Sequence, residues 1–283
     1  MKKGYIFPDL PIFWHSIFQL IPIDLNMKKV CFALMLVAGV IFNMTAQEAN
    51  PLKGKKILVF SKTAGFRHSS IPYGISAMFE LGKKYGFSVD TTQNASLFNE
   101  DNLKQYKVVV FNNTTGDVLD AQQQTAFEHY IQAGGGFVGI HAASDTEYDW
   151  AWYGKMVGGY FDGHPGKHVS NVQMGKFTVT DAKHPSTEKL PASFERKDEF
   201  YNFKQFNKEV KVLLTVDEKS YQEGTMGDFH PMAWYHLYDG GRAFYTNWGH
   251  THETFSDEIP MNHIWGGLLW AGSGKPVKAK KTK

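Results

Sequence analysis

The chain has 283 residues, of which 42% are hydrophobic and 20% charged, a globular composition that excludes disordered and collagen-like classes. Its positive charge lies at the ends: residues 1–46 carry +2, the last nine residues +5, and residues 47–274 a net −5. A nucleic-acid partner, which needs a basic face on the folded body, is excluded on that distribution.

Lys28 and Lys29 precede an apolar run from Val30 to Phe42, and Asn43-Met44-Thr45-Ala46-Gln47 follows it. This is the layout of a secretory signal peptide cleaved after Ala46, and the run is too short to span a bilayer. The pattern begins at Met27. Residues 1–26 are therefore expected to be an over-called start, 27–46 a signal peptide, 47–274 a single domain and 275–283 a Lys-rich disordered tail, with an uncleaved N-terminal anchor as the alternative. Cys31, the sole cysteine, falls inside the leader. Without thiols the processed chain has no disulfide, zinc–thiolate site or cysteine nucleophile, which suits the periplasm or the cell exterior.

Ile57–Phe60 is a short apolar run ending in a polar loop, and Val108–Phe111 followed by Asn112-Asn113 repeats the scheme. Such runs suit strands buried on both faces. Between them, Ile75, Met78, Phe79 and Leu81 recur at helical intervals over Ile71–Tyr85, with Pro72 in the first turn and Gly86 closing the end. Asp120 is placed to cap a helix running to Ala133, and three glycines then lead into a strand over Phe137–Ile140. This alternation predicts an α/β fold: a mainly parallel sheet with helices on both faces. Beyond residue 170 the pattern turns to strands, Val172–Thr180, Val210–Val216, Met232–Tyr238 and Arg242–Trp248, the last two joined by a hairpin at Asp239-Gly240-Gly241. Met261–Ala271 is a closing helix.

Gly134-Gly135-Gly136-Phe137-Val138-Gly139 matches G-x-G-x-x-G, but the order here is helix, glycines, strand, the reverse of a dinucleotide fingerprint. NAD is not expected.

Ligands of open parallel sheets bind beyond the carboxyl ends of the strands. Those ends carry Arg67 and His68, then Asn112, then His141 and Asp145; the later loops add His164, His250, His252 and Glu253. Eleven of the twelve histidines follow the leader, most beside glycine or proline, and imidazoles in loops serve proton transfer or metal ligation. His129 and His263 are assigned to surface or packing. In Asp198-Glu199-Phe200-Tyr201, strand alternation sends one carboxylate toward the site, and Glu199 with Tyr201 is preferred. Trp150, Trp152 and Trp248 are candidates for stacking on a sugar ring, whereas Trp265 and Trp270 are core.

Five ordered segments resemble the ThuA-like, or trehalose-utilisation, family: Thr63–His68, Gly135–Ala143, Gly158–Phe161 with Gly163-His164-Pro165, Asp198–Tyr201, and Pro231–Trp234 through Gly241–Tyr245 to Gly249-His250-Thr251. The resemblance covers about residues 55–272. It implies a flavodoxin-like, class I glutamine amidotransferase-like sheet elaborated by extra strands in the C-terminal half. Where the amidotransferases carry a cysteine within G-x-C-x-G, the counterpart here is Gly139-Ile140-His141-Ala142-Ala143, so glutamine hydrolysis by a thiol is excluded.

The resemblance further implies a role in disaccharide or glycoside catabolism beside sugar oxidoreductases that make 3-keto sugars. A ketone at C3 acidifies the C2 proton, which a base removes if a donor or cation holds the enediolate. The expected catalytic set is His68, His141, Glu199, Tyr201 and His250, with His141 or His68 as base. Arg67, Asn112, Asp145, Trp150, Trp152 and Trp248 are expected to bind a small-molecule carbohydrate. A divalent metal is left open, with His164, His250 and His252 as ligands. The alternatives are a non-catalytic carbohydrate-binding module and a metal-dependent glycoside or ester hydrolase; the oligomeric state, a homo-oligomer included, stays open.

Overall fold

The computed structural model describes residues 50–274. The leader, the early start and the Lys-rich tail lie outside the described residues. Nine strands form one sheet in the order β2 (Ser88–Thr92), β1 (Lys56–Phe60), β3 (Val108–Asn112), β4 (Gly136–Ile140), β11 (Gly241–Thr246), β10 (Pro231–Tyr238), β9 (Lys211–Val216), β6 (Val172–Val179) and β7 (Ser193–Glu199). The first five are parallel and have the 2-1-3-4-5 order of flavodoxin-like folds. The other four join them antiparallel. A separate two-stranded ribbon pairs β5 (Tyr160–Phe161) with β8 (Phe203–Lys204).

The continuous apolar runs become strands with side chains buried on both sides. Leu58, Phe60, Val109, Phe111 and Phe137 pack on one face beneath α3 (Ala121–Gln132) and α4 (Ala151–Val157). Ile57, Val59, Val108, Val110 and Ile140 pack on the other against α1 (Ile71–Tyr85) and α5 (Glu258–Gly272). A one-turn helix, α2 (Glu100–Leu103), precedes β3. Asp120 caps α3 through a full capping box with Gln123, and Gly86 ends α1 in the left-handed conformation. No described helix is long and apolar enough to cross a membrane.

The antiparallel half does not continue flat. In a flat sheet β7, five positions from β4 in the order, would lie ~24 Å away. Instead the end of β7 touches the end of β4. Register shifts between Pro231 and Trp234, where β10 meets β9, are of the kind that bend a sheet. Phe177, Phe200 and Trp248 fill the inside of the curl, with ring centroids 5.2 Å (Phe177–Trp248) and 5.8 Å (Phe177–Phe200) apart.

Candidate functional site

That curl brings four of the polar loops to one point. His68 follows β1, His141 follows β4, His250 follows β11, and Glu199 ends β7. Among the described residues, one nitrogen from each of these histidines and one carboxylate oxygen of Glu199 all lie within 4.8 Å of one another, and these residues could hold a metal ion.

Glu199 is the hub. Its Oε2 is 3.2 Å from His141 Nε2 and 2.9 Å from His250 Nδ1. Its Oε1 accepts from Asn171 Nδ2 at 2.5 Å and stands 3.4 Å from His164 Nε2. Burial raises the carboxyl pKa, but the close contacts and charges of His141 and His250 outweigh it and hold Glu199 well below the usual carboxylate range. The same balance runs the other way at His250, where burial is outweighed by Glu199 and the pKa is raised. His68 is pushed down to about 2 by burial and by the neighbouring His141 and His250. Its ring stands edge-on to both, with centroids 4.9 and 5.3 Å away, and its Nε2 is 3.3 Å from Tyr201 Oη. Burial, then the charge of Glu199, drives the Tyr201 phenol well above its ordinary value, so it stays protonated.

The local backbone is shaped to make this fit. His141 has φ +49°, turning its ring off the strand end, and Nδ1 donates to the carbonyl of Asn247 at 2.6 Å. The Asn247 side chain then accepts from Tyr201 N at 2.9 Å and donates to the Glu199 carbonyl at 2.6 Å. Gly249, at φ +144°, passes so close to β4 that a Cβ would meet Ile140 Cγ2 at 2.7 Å and His141 Cβ at 2.9 Å. Neither Asn247 nor Gly249 was singled out for such a role from the sequence.

The expected site residues thus divide. His68, His141, Glu199, Tyr201 and His250 are brought together, and His164 stands at the rim with its side chain 35% exposed. His252 is placed elsewhere, with Nε2 3.0 Å from Ser69 Oγ and its ring stacked on Tyr73, so it is not a member of the cluster. Asp198 faces away from Glu199, as alternation requires, and accepts from Thr254 Oγ1 and Gly249 N. Asn112 is buried and donates to Ser61 Oγ and the Ile71 carbonyl, tying β3 to α1. Arg67 is exposed and donates to Gln93, and Asp145 accepts from Tyr148 Oη.

Trp150 and Trp248 are buried packing residues here, and Trp152 is half-buried. Trp248 is fully buried in the curl; Trp150 packs on Phe127 and donates to Glu128, and Trp152 stacks on Trp150 and donates to Asp239. The aromatic faces at the mouth belong to Phe66, 66% exposed and 4.8 Å from the His68 ring, and Phe161, 4.2 Å from Tyr201. A cavity of about 670 Å³ lies between β6, β7 and the start of α5, lined by Val172, Arg196, Thr251, Asp257 and Ile259; none of the cluster residues lines it.

The family model described as "ThuA: Trehalose utilisation" matches residues 56–271. The chain belongs to the ThuA family. Two solved ThuA-like proteins share its architecture. One, from Bacteroides uniformis, is 26% identical, with a TM-score of 0.65 over 81% of this chain and 94% of its own. The other, from Parabacteroides merdae, is 21% identical, with a TM-score of 0.62 over 81% of this chain and 93% of its own. No curated protein matches the sequence. Membership in ThuA supports a carbohydrate-related role and agrees with the flavodoxin-like sheet.

Proposed function

We propose that this ThuA protein processes a keto-sugar or keto-glycoside by moving the proton at C2, leading to isomerisation or to elimination of the C1 substituent. The observation that carries this reading is the convergence of His68, His141 and His250 on the buried carboxylate of Glu199, at the ends of β4, β11 and β1. Ligands of open parallel sheets are expected beyond those ends, and a largely buried cluster of imidazoles beside a carboxylate is suited to proton transfer.

His68 and His141 are nearly inaccessible, whereas His250 and His164 have side chains 22% and 35% exposed. Substrate therefore meets His164 and His250 first, with His68, His141 and Tyr201 buried behind them. Tyr201, protonated, supplies a hydrogen-bond donor for the enediolate oxygen.

A 3-keto substrate requires a preceding oxidation, so a sugar oxidoreductase is the expected upstream partner. The leader at 27–46 would place this chemistry in the periplasm or outside the cell, and N-terminal sequencing of exported protein is expected to begin at Gln47. The enzymatic reading is tested with glucosides and their 3-keto derivatives in D2O. Deuterium uptake at C2, or loss of the aglycone from keto substrates alone, supports it; binding without chemical change favours a carbohydrate-binding module.

A further inference from the structure

We propose that His68, His141, His250 and Glu199 bind one divalent first-row transition-metal ion. The argument begins with protons. A carbonyl oxygen only accepts, so His141 Nδ1, 2.6 Å from the Asn247 carbonyl, must carry hydrogen. His164 Nδ1, 2.6 Å from the Pro165 carbonyl, must do so as well. In their neutral forms both rings therefore turn a bare Nε2 lone pair toward Glu199, at 3.2 and 3.4 Å. His250 Nδ1 approaches the same carboxylate at 2.9 Å without making a directed hydrogen bond.

Lone pairs facing a carboxylate at these distances repel unless positive charge lies between them. One imidazolium would balance Glu199 and leave the other rings facing it uncompensated. Protonating every ring would crowd several cations into a buried volume, at a cost that pKa shifts normally avoid. A single divalent ion satisfies the whole set.

Three further observations agree. His68 Nδ1 is buried with no hydrogen-bond partner, although buried polar atoms are nearly always satisfied. Donors held at 2.0–2.2 Å from one ion lie roughly 3.4 Å apart in a tetrahedral set and at most roughly 4.4 Å when opposed, so the cluster, whose donor atoms all lie within 4.8 Å of one another, needs to tighten around an ion by side-chain movement alone. The supporting contacts are also present: the Asn247 carbonyl fixes the His141 tautomer, and Asn171 Nδ2 holds the Glu199 carboxylate. Metal-bound imidazoles and carboxylates are characteristically oriented in this way.

Three imidazoles and one carboxylate select zinc, cobalt, nickel, iron or manganese over magnesium and calcium, which favour all-oxygen sites. An ion here would act as a Lewis acid toward the ketone oxygen. That role, though not the binding itself, rests on the keto-sugar reading. With four residues committed as ligands, His164 Nε2 and Tyr201 Oη are the groups left for proton transfer.

The full chain, stripped with EDTA and dialysed, is titrated with Zn2+, Co2+, Mn2+ and Mg2+ by calorimetry, with Co2+ also followed by visible absorption. The expected result is one equivalent of Zn2+ or Co2+ bound, no Mg2+ binding, and cobalt d–d bands without thiolate charge transfer. Glu199→Gln and His250→Ala should weaken Co2+ binding at least tenfold, and His252→Ala should leave it unchanged. Circular dichroism of the metal-free proteins establishes that the variants are folded, and the wild-type stoichiometry is decisive even if one is not. Absence of transition-metal binding, or equal binding by folded His250→Ala and Glu199→Gln, overturns the proposal. Wild-type protein that exchanges C2 yet binds no transition metal overturns the metal site and leaves the keto-sugar reading standing; metal binding without any C2 exchange does the reverse.

Discussion

Asn247 holds Glu199 by its backbone: the side-chain amide donates to the Glu199 carbonyl at 2.6 Å, while the Asn247 carbonyl itself accepts from His141 Nδ1 at 2.6 Å. One residue after β11 thus sets the positions of both the hub carboxylate on β7 and the histidine on β4. Asn247→Ala removes the side-chain half of this clamp and leaves the Glu199 carbonyl and the Tyr201 amide unpaired in a buried setting. Each such group costs about 1–3 kcal/mol. The variant is expected to lose about 2 kcal/mol or more in urea unfolding, and C2-exchange activity at least tenfold, as when a supporting contact is removed from a site.

Gly249→Ala tests the close approach of the two loops. At φ +144° a side chain is strained, and the new Cβ would press on Ile140 and His141. The strain alone is worth about 1–3 kcal/mol. Thermal melts should show the lower stability, and activity should fall further than stability does because His141 and His250 are both displaced.

Stability is expected to fall on mild acidification through two histidines remote from the cluster. His184 Nδ1 accepts from the Ser186 amide at 3.2 Å, which marks a neutral ring, and burial holds its pKa at about 4. His263, fully buried, is held at about 3 by burial first, with His184 also lowering it. Both folded values lie below the unfolded value near 6.5, so the unfolded chain binds the extra protons. The stability contribution is therefore complete above pH 6.5 and is lost as pH falls toward 4. For His184 it reaches about 3 kcal/mol at 1.4 kcal/mol per pK unit. Melting temperatures measured from pH 7.5 to 4.5 should drop, and the slope should flatten in His184→Gln.

Sugar stacking is expected from Phe66 rather than from the tryptophans. Phe66→Ala, at an exposed position, should change stability by no more than about 0.5 kcal/mol. Losing an aromatic contact worth about 1 kcal/mol should raise KM roughly fivefold. Trp150→Ala should instead cost about 3–5 kcal/mol of stability, with no selective effect on KM. Parallel urea melts and steady-state kinetics separate the two.

The contrast shows what was legible in the sequence. The parallel half was, because Ile57–Phe60, Val108–Phe111 and Phe137–Ile140 are uninterrupted apolar runs and the loops after them necessarily face one edge. His68, His141 and His250 were found for that reason, and Glu199 by strand alternation. Trp150 and Trp248 misled because an indole beside a polar loop looks the same in sequence whether it faces solvent or the core. Asn247 gave no signal, since its partners are contacts across a curled sheet that brings β7 back to β4. His252 shares its loop with His250 but lies outside the Gly249-His250-Thr251 motif, and the 3-10 turn beginning at His252 sends it toward Ser69 and Tyr73.

The central claim is that the site built on the histidine–glutamate cluster exchanges the C2 proton of a keto-sugar, and proton NMR of 3-keto-glucosides in D2O tests it most directly. The account predicts loss of the C2 proton signal with the wild-type protein and a fall of at least a hundredfold in that rate for His141→Ala and Glu199→Gln, both still folded by circular dichroism. No exchange with any keto-glycoside, or exchange at the wild-type rate in His141→Ala, would contradict it.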